Sequence, residues 1–96
     1  MPPPLRISST VRAKLQNKHN VTEREIEQCF DNRSGKFLID DREENRTDPA
    51  THWFIAETNR GRQLKICCMH IDGNVHIKTS YSPNSTEIQI YNEHAF

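Results

Sequence analysis

The sequence predicts an α+β domain: two N-terminal helices, a four-stranded antiparallel sheet and a C-terminal helix. Three observations carry this. Thr22 and Glu25 form a capping box, a spacing that satisfies two otherwise orphaned N–H groups at a helix start. Two turn signals, Asn59-Arg60-Gly61 and Asp72-Gly73, separate three β-rich runs tightly enough for a meander. Asn84 and Glu87 repeat the capping-box spacing just after the last run, so a strand passes almost directly into a helix.

The elements follow in order. Residues 1–7, opening on Met1-Pro2-Pro3-Pro4, read as a flexible tail, and residues 8–96 as a single domain. Ser8 or Ser9 caps the first helix, which turns Val11 and Leu15 inward and ends near Lys18-His19-Asn20, where Asn20 suits a left-handed C-cap. In the second helix Val21 staples onto Ile26, and Ile26, Cys29 and Phe30 make the buried stripe. Residues 36–40 form a short first strand, and the polar residues 41–50 form a loop. Residues 51–58 form the second strand, with Trp53, Phe54 and Ile55. Residues 62–71 form the third, with Leu64, Ile66 and Cys68 on one face and Lys65, Cys67 and Met69 on the other. In the fourth, residues 74–81, Val75, Ile77 and Thr79 alternate with His76, Lys78 and Ser80. Tyr81 stands at the junction before the last helix, residues 85 to about 93. The expected core is Val21, Ile26, Phe30, Phe37, Ile39, Leu64, Ile66, Ile77 and Ile88.

Composition bounds the function. An apolar fraction of 33% and a mean hydropathy of −0.87 give one small domain with a thin core. No apolar run approaches the roughly 20 residues of a membrane span, and the N-terminus lacks a signal-peptide core, so no membrane association and a cytoplasmic location are expected. The three cysteines make no disulfide framework and no C-x-x-C zinc spacing, and the five histidines are scattered, so neither metal nor cofactor is expected. Asp40, Asp41, Glu43 and Glu44 read as a solvated acidic loop. Charge sums to zero but is uneven. Residues 1–22 carry Arg6, Arg12, Lys14 and Lys18 and no acid; residues 23–48 carry nine acids against five bases; residues 49–81 carry four bases against two acids. A general DNA-binding domain would be more basic, but the basic segments can meet an anion.

The motifs Lys18-His19-Asn20-Val21, Phe30, Gly61-Arg62-x-Leu64, Glu87 and Tyr91 fall in an order similar to BrnT-like toxins of the RelE superfamily, over roughly residues 11–91. One position departs: where those proteins place an arginine, this chain has Tyr81, within Thr79-Ser80-Tyr81-x-Pro83-Asn84. The resemblance implies a RelE/BrnT-like fold and a type II toxin–antitoxin ribonuclease. It also implies RNA, free or ribosome-bound, as substrate, a cognate antitoxin as partner, and a higher-order toxin–antitoxin assembly.

Such cleavage needs a base for the 2′-hydroxyl, cations for the charged intermediate and an acid for the leaving oxygen. Lys18, His19, Arg62, Lys65 and Tyr81 are the candidate catalytic set, with His76, Lys78 and Trp53 as substrate contacts, Trp53 by stacking on a base. Each has a plainer role: His19 as a helix C-cap, Arg62 and the strand histidines as surface residues, Trp53 as core, Glu87 as a cap. The alternative function is a non-catalytic RNA- or protein-binding regulatory module. Convergence of Lys18, Arg62, Lys65 and Tyr81 on one patch favours the nuclease; their scatter favours the binding module.

Overall fold

The computed structural model describes residues 4–40 and 49–96. The order is β1 (Leu5–Arg6), α1 (Ser9–Lys14) continued by a π-helical turn (Leu15–His19), α2 (Glu23–Asn32), β2 (Leu38–Ile39), β3 (Thr51–Glu57), β4 (Gln63–Ile71), β5 (Asn74–Tyr81) and α3 (Ser85–His94). The strands form one mixed sheet, β1-β5-β4-β3-β2. The α+β class and the β3-β4-β5 meander are as expected; the sheet has five strands rather than four, and one pairing is parallel. The extra strand comes from the segment read as a tail: Leu5 and Arg6 pair with Val75 and His76, and the Val75 N–H donates to the Pro4 carbonyl at 2.9 Å. Two residues are too few to show a period of two.

Local chemistry explains the boundaries. Ser8 accepts from the Val11 N–H at 3.2 Å and caps α1. The π-helical turn stops at Asn20, whose φ of 51° is left-handed, and the Val21 N–H bonds back to the Leu15 carbonyl at 2.9 Å. Both capping boxes form: Thr22 with Glu25 at α2, and Asn84 with Glu87 at α3. Asp72 and Gly73, at φ 50° and 80°, make the β4–β5 turn.

α2 packs on the sheet face of Phe54, Ala56, Leu64, Ile66 and Cys68; the Cys29 thiol lies 3.7 Å from the Ala56 carbonyl, and the Phe30 and Phe54 rings meet edge to face at 4.8 Å. Val21, Ile26, Phe30, Leu64, Ile66 and Ile77 are buried as expected, and Phe37 and Ile88 are partly so. Ile39 is not core: it is 62% exposed, because β2 is only two residues of edge strand. α3 crosses the opposite face, where Tyr91 packs on Trp53 with ring centroids 5.6 Å apart. It leaves the β5 half of that face open.

The two cysteines of β4 differ from their neighbours in register. Cys67 pairs with Thr79 but Cys68 pairs with Ile77, so Lys78 is an extra residue, a β-bulge. Regular alternation would turn Lys78 away from Tyr81. The bulge instead brings it to the open face, where its Nζ donates to Thr51 Oγ1 at 3.4 Å.

Candidate functional site

The open face holds a cleft of about 270 Å³ lined by Lys14, Lys18, His19, Asp40, Thr51, Cys67, Lys78, Thr79 and Tyr81. Three elements supply its cations. α1 and the π-helical turn bring Lys14, Lys18 and His19 to one rim; the β5 bulge brings Lys78 to the floor. A π-helical turn is uncommon and concentrates at functional positions. Here it sets His19 beside Tyr81, ring centroids 5.7 Å apart.

Burial pushes the His19 pKa below its ordinary 6.5, and the charges of Lys18 and Lys14 push it further down. The imidazole is therefore neutral at pH 7, able to accept a proton.

Beneath Tyr81 lies a part-buried ionic network. Lys65 Nζ donates to Glu87 Oε2 at 2.7 Å, and the Tyr81 hydroxyl donates to the same oxygen at 2.9 Å. The other Glu87 oxygen accepts the Asn84 N–H at 3.0 Å. Burial alone would raise the Glu87 pKa, but Lys65, the Asn84 N–H and the Tyr81 hydroxyl reverse this and hold it below the ordinary value. Burial alone would lower that of Lys65, and Glu87 reverses it upward. Tyr81 is raised by burial and by its bond to Glu87, against the opposing pull of Lys65. The phenol is thus a neutral, oriented wall whose proton is already held.

The predicted residues divide, and of Lys18, Arg62, Lys65 and Tyr81, whose convergence marks a nuclease, only Lys18 and Tyr81 meet in one cleft. Lys18, His19, Lys78 and Tyr81 line one cleft. Lys65 does not: it is 4% exposed, neutralised by Glu87, and its ammonium sits 4.6 Å from the Trp53 ring centroid. Arg62 is elsewhere. Its guanidinium donates to the carbonyls of Asn20 at 2.8 Å and His19 at 3.1 Å and pairs with Glu25 at 3.1 Å, tying the end of the π-helical turn to the start of α2. It holds His19 from behind. His76 lies at the other end of β5, in a surface hollow with Leu5, Arg6, Ser8 and Arg12. Trp53 is 8% exposed and floors a neighbouring cleft. Lys14 joins the cationic rim unforeseen, although its spacing of four from Lys18 places both on one helix face.

Asp40 is buried and its N–H bonds to the Thr51 carbonyl at 2.8 Å, so it belongs to the sheet rather than to a solvated loop. Asp41, Glu43 and Glu44 lie outside the described residues. Among the described residues no three His, Cys, Asp or Glu side chains gather to hold an ion, and no helix is long and apolar enough to cross a membrane. Compared with known proteins, the chain matches no family model, no curated sequence and no solved structure.

Proposed function

We propose that the chain is a metal-independent endoribonuclease working at the cationic cleft, the toxin of a toxin–antitoxin pair acting on cytoplasmic RNA. One observation carries the reading: His19, its pKa lowered, shares a cleft with three lysines, Asp40 and an aromatic wall. RNA contains its own nucleophile, so the protein need only supply proton transfer and charge. His19 accepts the 2′-hydroxyl proton as that oxygen bonds to phosphorus. Lys14, Lys18 and Lys78 stabilise the pentacoordinate dianion. The bond to the 5′-oxygen breaks and that oxygen takes a proton from a rim ammonium. The products are a 2′,3′-cyclic phosphate and a free 5′-hydroxyl, and water returns the imidazolium proton to the rim. Tyr81 orients the substrate beside His19, and Arg62 positions His19 through its carbonyl. The motif order shared with BrnT-like toxins supports an antitoxin covering this face and a larger toxin–antitoxin assembly.

Inducible expression in bacteria tests this. Growth should stop after induction and total RNA should fragment, with both effects lost in His19→Ala. The separation of Arg62 and Lys65 from the cleft favours the second reading, a non-catalytic binding module, and a harmless chain that binds RNA without cutting it would replace the enzyme with it.

A further inference from the structure

A second cleft, of about 630 Å³, opens on the same sheet face between β2 and α3. Its size suits a small ligand. Among the described residues three large hydrophobic side chains stand exposed, and two of them, Ile39 at 62% and Ile90 at 40%, line this one cleft. Trp53 forms its floor beside the neutralised Lys65–Glu87 pair. Asn84 and Thr86 add polar groups where α3 begins.

Sheet register joins this cleft to the cationic one. Trp53 pairs with Cys67 and Lys65 pairs with Tyr81; in each pair the first residue lines the apolar cleft and the second the cationic cleft. Asp40 lines both. The two floors are therefore one strand spacing apart, about 5 Å. A guest that fills both must be flat and apolar at one end, with hydrogen-bonding edges, and anionic at the other. That is the chemistry of a nucleotide. Resting on the ribonuclease reading, we infer that the β2–α3 cleft is the nucleobase subsite, holding the base between Ile39 and Ile90 while its phosphate meets Lys14, Lys18 and Lys78. The base's polar edge meets Asn84 and Thr86.

The chain's single tryptophan is Trp53, so its fluorescence reports occupancy of this cleft. The test titrates the full chain with a mononucleotide, the uncharged nucleoside, ribose 5-phosphate and inorganic phosphate, following Trp53 emission and backbone amide shifts. The mononucleotide and nucleoside should change Trp53 emission. Ribose 5-phosphate and inorganic phosphate should shift only amides around Lys18 and Lys78. Ile90→Asp and Ile39→Asp, both at exposed positions, should weaken the mononucleotide by roughly tenfold or more and leave inorganic phosphate unchanged. A mononucleotide that binds no better than ribose 5-phosphate, with Trp53 silent, overturns the subsite even if RNA is still cut. Self-association abolished by Ile90→Asp without any nucleotide response overturns it in favour of a protein contact. A nucleoside response sensitive to Ile90→Asp, with no phosphate binding, upholds the subsite and counts against the nuclease instead.

Discussion

His19 and Tyr81 face each other across one cleft but are prepared in opposite ways. Burial and two lysines lower the imidazole's pKa; burial and Glu87 raise the phenol's. Tyr81 is thus a poor acid and a good wall. Tyr81→Phe keeps the ring and should leave RNA cleavage within about threefold of the parent, whereas Tyr81→Ala should lower it by about 5- to 150-fold, stacking being worth about 1–3 kcal/mol. A loss of 10²–10⁴-fold in Tyr81→Phe would instead make the hydroxyl the general acid. The sequence shows Tyr81 at a strand-to-helix junction and Glu87 as a cap. That one carboxylate serves the cap, Lys65 and Tyr81 becomes visible only when α3 folds back over β4. Lys65, odd among apolar neighbours, reads as a candidate cation until that partner, 22 residues away, neutralises it.

Two elements shape the cleft without lining it as charges. The first is the clasp in which Arg62 holds the last carbonyls of the π-helical turn against Glu25. A lysine cannot reproduce a guanidinium's several donors. Arg62→Lys should cost about 1–3 kcal/mol of stability and should also shift the pH–rate profile, because His19 loses its fixed place beside the lysines that lower its pKa. An unchanged profile would leave Arg62 a purely structural tie. The second is the Lys65–Glu87 pair, with side chains 6% and 18% exposed. Removing either partner strands a charge and should cost about 3–5 kcal/mol in urea unfolding, while replacing both by apolar residues should cost much less. Additive losses would show that the two do not interact. The β5 bulge that aims Lys78 into the cleft leaves no mark in the alternation of residues 74–81; it is a matter of pairing with β4, which no local pattern encodes.

The molecule as a whole is held at different pH limits by different groups. His19 and His70 titrate below 6.5 in the fold, His70 through burial and then the charges of His52 and Arg33. Protonation therefore favours the unfolded chain, so their contribution is complete above about 6.5 and is lost as pH falls below it. Glu25 and Glu87, with pKa values below the ordinary 4.5, add stability that is present above 4.5 and lost as pH falls through their folded pKa. Urea midpoints should decline below pH 6.5 and again below 4.5; a flat midpoint from pH 7 to 3 would contradict this. Capping boxes, turns and the α2 stripe made most of the architecture legible from the chain alone. β1 and the second cleft were not, because both depend on contacts between segments far apart in sequence. The proposed function requires His19 to act as the base in RNA cleavage. The direct measurement incubates the purified chain and His19→Ala with an RNA oligonucleotide in excess chelator and analyses the product ends. The products should carry 2′,3′-cyclic phosphate termini, the rate should fall as pH drops through the lowered His19 pKa, below 6.5, and His19→Ala should lose about 10²–10⁴-fold. Intact RNA with the parent chain, or equal cleavage by His19→Ala, would contradict it.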